Sequence, residues 1–153
     1  MLTTVIFAVV ASGPSAGLQG TWTSKVQFTN GAFSSVKDLE FLSTFNQGGT
    51  MNESSNYDGA PPVPPAYGIW RKTGPNRFEA KYIFYSTKPP TKFEDISGGG
   101  GWMPGGKGTL IEKFIILPGG STYSSTITLK MQDEKGKPGE TWFAKARGVR
   151  IKF

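Results

Sequence analysis

Over long stretches of this chain, apolar and polar residues alternate one for one. From position 21 to 28, Trp22, Ser24, Val26 and Phe28 fall on one face and Thr21, Thr23, Lys25 and Gln27 on the other. A period of two marks a half-buried strand, because successive side chains point to opposite faces of a sheet. The pattern recurs at 39–45, where Leu39, Phe41, Ser43 and Phe45 oppose Glu40, Leu42 and Thr44. At 77–85, Phe78, Ala80, Tyr82 and Phe84 oppose Arg77, Glu79, Lys81, Ile83 and Tyr85. Tyr123, Ser125, Ile127 and Leu129 oppose Thr126, Thr128 and Lys130, and Trp142, Ala144, Ala146, Gly148 and Arg150 oppose Phe143, Lys145, Arg147 and Val149. Shorter segments at 50–56 and 67–72 complete the set. The segment 108–117 leaves its inward face open, since Leu110, Glu112, Phe114 and Ile116 oppose Thr109, Ile111, Lys113 and Ile115. The chain therefore predicts eight strands and no long helix, with room for a helical turn at 38–41 and at 92–96.

The links between these strands alternate. Those at 46–49, 73–76 and 117–120 are tight and rich in Gly, Pro and Asn; those at 30–37, 57–65, 86–107 and 132–139 are longer. Successive links of an up-and-down antiparallel sheet fall at opposite ends. The pattern predicts an all-β, eight-stranded up-and-down antiparallel barrel with one pinched end and one loop-fringed end. Prolines at 61, 62, 64, 65, 75, 89, 90, 104, 118 and 138 all fall in the expected links, as strands require. Residues 18–153 read as a single domain. Residues 1–17 form an apolar segment that fits either the remnant of an export signal or an extra strand, and the run is too short to span a bilayer.

Three features resemble the lipocalin-like (calycin) barrels. Gly20-Thr21-Trp22 is a Gly-x-Trp opening the first strand, Arg150 lies near the end of the last strand, and the links follow the long–short alternation. The hairpin around Asn46-Gln47-Gly48-Gly49 and the stretch from Gly68 to Pro75 also look like small bacterial lipocalin-like proteins of unknown function. The resemblance implies that Trp22 plugs the narrow end with Arg150 packed across it, and that the lumen binds a small hydrophobic molecule. It departs from larger members in having neither a C-terminal helix nor a disulfide.

Composition narrows the chemistry. The 153 residues contain no cysteine and no histidine. Disulfides, thiolate nucleophiles, Ser-His-Asp catalysis and the usual zinc and haem ligands are thereby excluded, and no cofactor or metal is expected. Net charge is +6, but the cations are scattered, whereas nucleic-acid binding calls for a concentrated basic stripe with stacking aromatics. No nucleic-acid partner and no stable membrane insertion are expected. An export signal would place the protein outside the cell or in the periplasm; an ordered strand leaves it cytoplasmic.

Large inward rings interspersed with Ser, Ala and Gly leave room for a ligand. Phe41, Ser43, Trp70, Tyr82, Phe84, Trp102, Tyr123 and Trp142 are the candidate ligand-contacting residues. Trp102 lies in the glycine-rich 97–106 segment, which reads either as a lid or as a floppy loop whose Trp docks on the rim. The expected function is a carrier or sensor of a small hydrophobic molecule. The alternatives are a histidine-free barrel enzyme, a cyclase or isomerase, and a structural or interaction module with a packed interior. In the enzyme, Glu53, Glu112 and Tyr82 would supply acid–base groups, since burial raises a carboxyl pKa toward neutrality.

Overall fold

The computed structural model describes residues 17–57, 64–92, 94 and 101–153. The apolar segment 1–16, the proline-rich 58–63 and the glycines at 98–100 lie outside the described residues. Eight strands form: β1 (Gly20–Phe28), β2 (Glu40–Phe45), β3 (Thr50–Ser55), β4 (Ala66–Gly74), β5 (Arg77–Lys88), β6 (Met103–Ile116), β7 (Thr122–Gln132) and β8 (Pro138–Arg150). Each pairs antiparallel with the next, and β8 returns to β1, so the sheet is a closed up-and-down barrel.

Burial follows the period of two. In β1, Trp22, Ser24, Val26 and Phe28 are buried while Lys25 and Gln27 are exposed. β6 turns Leu110, Glu112, Phe114 and Ile116 inward and leaves Lys113 and Ile115 exposed. Turned inward, Glu112 meets two hydroxyl donors, Tyr82 and Ser125.

Several boundaries differ from the sequence pattern. β5 and β6 extend into the segment expected as a lid, and Met103 pairs with Lys88. The extension passes a register shift at Ser86/Thr87. Beside it lies Gly106, whose φ of 115 and close approach to the Gln132 carbonyl admit no side chain. Trp102 thus stands at the foot of β6 rather than at a loop tip. The last link is only the turn 133–137, tied by Asp133 Oδ1, which accepts from the backbone N–H groups of Lys135 (2.9 Å) and Lys137 (2.8 Å). A helical turn forms at Ala32–Ser35 and not at 38–41, where Asp38 takes a φ of 55.

The tight-turn end is packed solid. Trp22, Tyr123, Phe114 and Phe45 form a chain of ring contacts with centroids 5.1, 5.1 and 5.4 Å apart. The Arg150 guanidinium lies 4.2 Å from the centre of the Trp22 ring. It donates to the carbonyls of Gly120 (3.2 Å), Gly17 (2.6 Å) and Gln19. Trp22 Nε1 donates to the Leu18 carbonyl at 2.8 Å. Inward glycines do not leave the lumen open at these positions. A Cβ on Gly148 would sit 2.1 Å from the Tyr123 ring, and one on Gly108 would sit 2.3 Å from Phe84. The small residues receive rings from neighbouring strands, so much of the space they suggest is already filled.

Candidate functional site

A buried acid cluster spans the middle of the barrel. Register sets Glu112 of β6 opposite Ala80 of β5 and Ile127 of β7. Its polar contacts come from the diagonal neighbours on each side, which are within side-chain reach in an antiparallel sheet. Tyr82 O–H donates to Glu112 Oε2 at 2.7 Å, and Ser125 O–H donates to Oε1 at 2.5 Å. All three residues are buried. Desolvation pushes the Glu112 carboxyl up to about 7, with the Ser125 and Tyr82 hydrogen bonds pulling the other way. Tyr82 is raised well above the ordinary tyrosine value, first by burial and then by the charges of Glu112 and Glu53. Burial likewise raises Tyr123, Glu112 adds to the rise, and a hydrogen bond with Ser24 opposes it. At neutral pH the cluster therefore holds a carboxyl group near its midpoint beside a neutral phenol.

A cavity of about 60 Å³ lies toward the loop end. Its walls are Phe28, Leu39, Phe41, Phe84, Leu110 and Leu129, with Phe33, Tyr57 and Pro64 toward the rim. Glu53, Ser55 and Ala66 complete the lining. Glu53 is buried on β3, opposite Ser43 of β2 and Ala66 of β4. It is the carboxylate that faces the cavity. Phe33 is held by edge contacts to Phe28 (5.4 Å), Tyr57 (5.6 Å) and Trp142 (5.3 Å). A larger depression, about 890 Å³, is lined by the exposed Lys25, Arg77, Lys113, Lys145 and Arg147 together with the buried Leu39, Phe78, Phe114 and Ser125.

The sequence-derived candidates divide between these places. Phe41, Phe84 and Glu53 line the cavity. Tyr82 and Glu112 form the acid cluster. Ser43 is buried beside Glu53 in register but is not part of the lining. Trp70 packs on Phe45 (6.1 Å) and Phe78 (5.9 Å), and its Nε1 donates to the Asn46 carbonyl at 3.0 Å. Tyr123 packs on Trp22, far down the barrel. Trp142 supports Phe33 and donates to Glu140 Oε2 at 2.9 Å. Trp102 is half-buried and outside the lining. Trp70, Tyr123 and Trp142 thus pack against neighbouring rings and are not among the lining residues.

Lining residues missed from the sequence include Leu110, Leu129 and Phe33. The first two are direct cross-strand partners, which the hairpin register at 117–121 encodes. Phe33 comes from a link and carries no alternation signal. Ser125, the second donor to Glu112, was visible only as a small hydroxyl on the inward face of its strand.

No family model matches the chain, and no curated protein matches it. The closed eight-stranded antiparallel barrel is compatible with a lipocalin-like fold. No helix among the described residues is long and apolar enough to cross a membrane. The outer wall carries Lys25, Lys81, Lys113 and Lys145 exposed at mid-strand, with exposed apolar residues among them.

Proposed function

We propose that the protein is a lipocalin-like carrier or sensor that binds a small, mainly apolar molecule at the loop end of its barrel. The observation supporting this reading is the apolar cavity with Glu53 in its lining. Aromatic and aliphatic walls supply affinity without direction, and a buried carboxylate gives a ligand hydroxyl or amine one place to point. The volume limits the ligand. Pockets that enclose drug-sized molecules hold roughly 300–1,000 Å³, whereas this cavity holds about 60 Å³. The buried part is then a few heavy atoms, such as the tip of an aliphatic chain whose remainder rests among Phe33, Tyr57 and Pro64.

The acid cluster gives some support to the enzyme alternative, because a carboxyl group with a pKa near 7 beside a tyrosine suits proton transfer. It weighs less. Glu112 and Tyr82 hydrogen-bond to each other and neither lines the cavity, so a ligand held there would not reach the shared proton.

Titration with a series of 1-alkanols, followed by tryptophan emission, tests the proposal. Trp142 touches Phe33 of the rim and reports occupancy. Affinity is expected to rise about fourfold per added methylene at roughly 0.8 kcal/mol each, until the cavity is full. Ala66→Leu, which fills the cavity from β4, is expected to abolish binding. The matching alkylamines are expected to bind more tightly than the alkanols and to lose that advantage in Glu53→Gln. No saturable binding by any member, or binding unchanged by Ala66→Leu, would overturn the reading.

A further inference from the structure

The solvent side of an antiparallel strand ordinarily carries polar residues. The outer wall of β4 and β5 departs from this. Tyr67, Ile69, Ile83 and Tyr85 point outward and are 66%, 63%, 37% and 68% exposed. They are contiguous. Tyr67 lies directly opposite Ile83, with Ile69 two positions along β4 and Tyr85 two positions along β5. Scattered surface hydrophobes need no explanation, but a joined patch does.

The patch is flanked by positive charge. Lys81 is the cross-strand partner of Ile69, and Lys107 of β6 is the partner of Tyr85. Both are exposed, and neither forms an ion pair among the described residues. The acid next along β5, Glu79, is held by Arg71 at 2.9 Å. The patch therefore combines two tyrosines, two isoleucines and two free ammonium groups with no carboxylate among them.

That combination matches a membrane–water interface. Tyrosine rings sit at headgroup depth, aliphatic side chains reach the acyl boundary, and lysines extend to anionic headgroups. A second copy of the chain fits worse, because a two-fold contact would bring the lysines of one patch toward those of the other. A nucleic acid would use the lysines and leave the isoleucines without a role.

We infer that the outer wall of β4–β6 is a docking face for an anionic lipid surface, bound peripherally. The face continues past Met103, which is 51% exposed, to the end of the barrel where Tyr57 and Pro64 form the cavity rim. The inference stands on the outer wall alone and does not depend on what the lumen holds.

Sedimentation with vesicles tests it. The protein is expected to bind vesicles of equal parts phosphatidylcholine and phosphatidylglycerol, to bind phosphatidylcholine vesicles weakly, and to lose affinity as salt rises. Lys81→Gln and Lys107→Gln are each expected to weaken binding about fivefold. The double variant Ile69→Thr/Tyr85→Thr keeps strand propensity at exposed positions, so circular dichroism should be unchanged, and it is expected to weaken binding further. Failure to bind the mixed vesicles at low salt would overturn the inference. So would undiminished binding by the threonine variant, tighter binding to duplex DNA that ignores the threonine substitutions, or a dimer in sedimentation velocity that those substitutions dissolve.

Discussion

Glu112→Gln isolates the energetics of the buried acid. The carboxyl group titrates near 7 in the folded barrel against an ordinary value of 4.5. A folded value above the unfolded one means that the folded state holds the proton more tightly. Below about pH 4.5 both states carry the proton and the barrel bears no ionisation penalty. Between that pH and about 7 the unfolded chain sheds its proton first, so stability falls as pH rises. Above about 7 both states are ionised and the full penalty stays. At about 1.4 kcal/mol per pH unit, the gap between the two values is worth about 3 kcal/mol. Full burial of Glu112 means that solvent screening does not reduce this figure. Glutamine cannot ionise, yet its carbonyl can accept one of the hydroxyl hydrogens now donated by Tyr82 and Ser125. Urea unfolding of both proteins from about pH 4 to about pH 9 gives the difference in stability, in which the other titrating groups largely cancel. The variant is expected to gain about 3 kcal/mol on the parent across this range. A difference that stays constant within about 0.5 kcal/mol would refute the claim that burial holds the Glu112 proton.

Three further outcomes follow from the packing. Arg150→Met keeps the aliphatic stem but removes the group over Trp22 and the donors to three carbonyls; a loss of about 2–3 kcal/mol is expected by denaturant unfolding, with Arg150→Lys recovering less than half because it lacks the fork. Gly148→Ala places a methyl group against the Tyr123 ring and is expected to cost roughly 1–3 kcal/mol; the cost should shrink in a Tyr123→Leu background, and a double-mutant cycle with no coupling would contradict that contact. Leu129→Ala truncates a fully buried cavity wall; a loss of about 2–5 kcal/mol is expected together with tighter binding of bulkier alkanols, and a variant that loses stability without this shift would show that the cavity had collapsed.

The barrel was legible because its information is local. Period-two alternation and Gly-Pro turns need only neighbouring residues, and they are enough to order eight strands. The Trp22 and Arg150 placement was legible too, since a barrel of this order must bring its first and last strands together. What the sequence withheld is set between strands. The inward face of β6 depends on Tyr82 and Ser125, contributed by β5 and β7, and Glu112 and Lys113 are equally ionisable when read in one dimension. Whether an aromatic lines or fills depends on the residue across from it. Tyr123 fills because Gly148 receives its ring, and Trp70 fills because Phe45 and Phe78 lie against it. The strand extensions to Lys88 and from Met103 were hidden by glycines and prolines that read as loop but sit in a paired ladder.

Closure of the sheet by β1 against β8 also constrains how the molecule is made. As the chain leaves the ribosome, β1 through β7 can zip in order, yet the sheet keeps two bare edges until β8 arrives. Pairing partners so distant in sequence slow folding, and an open edge can recruit a neighbouring chain. Lys25 on β1 and Lys145 and Arg147 on β8 stand along that seam. In the finished barrel they put like charges side by side; on a nascent chain the same charges keep two unfinished sheets from joining.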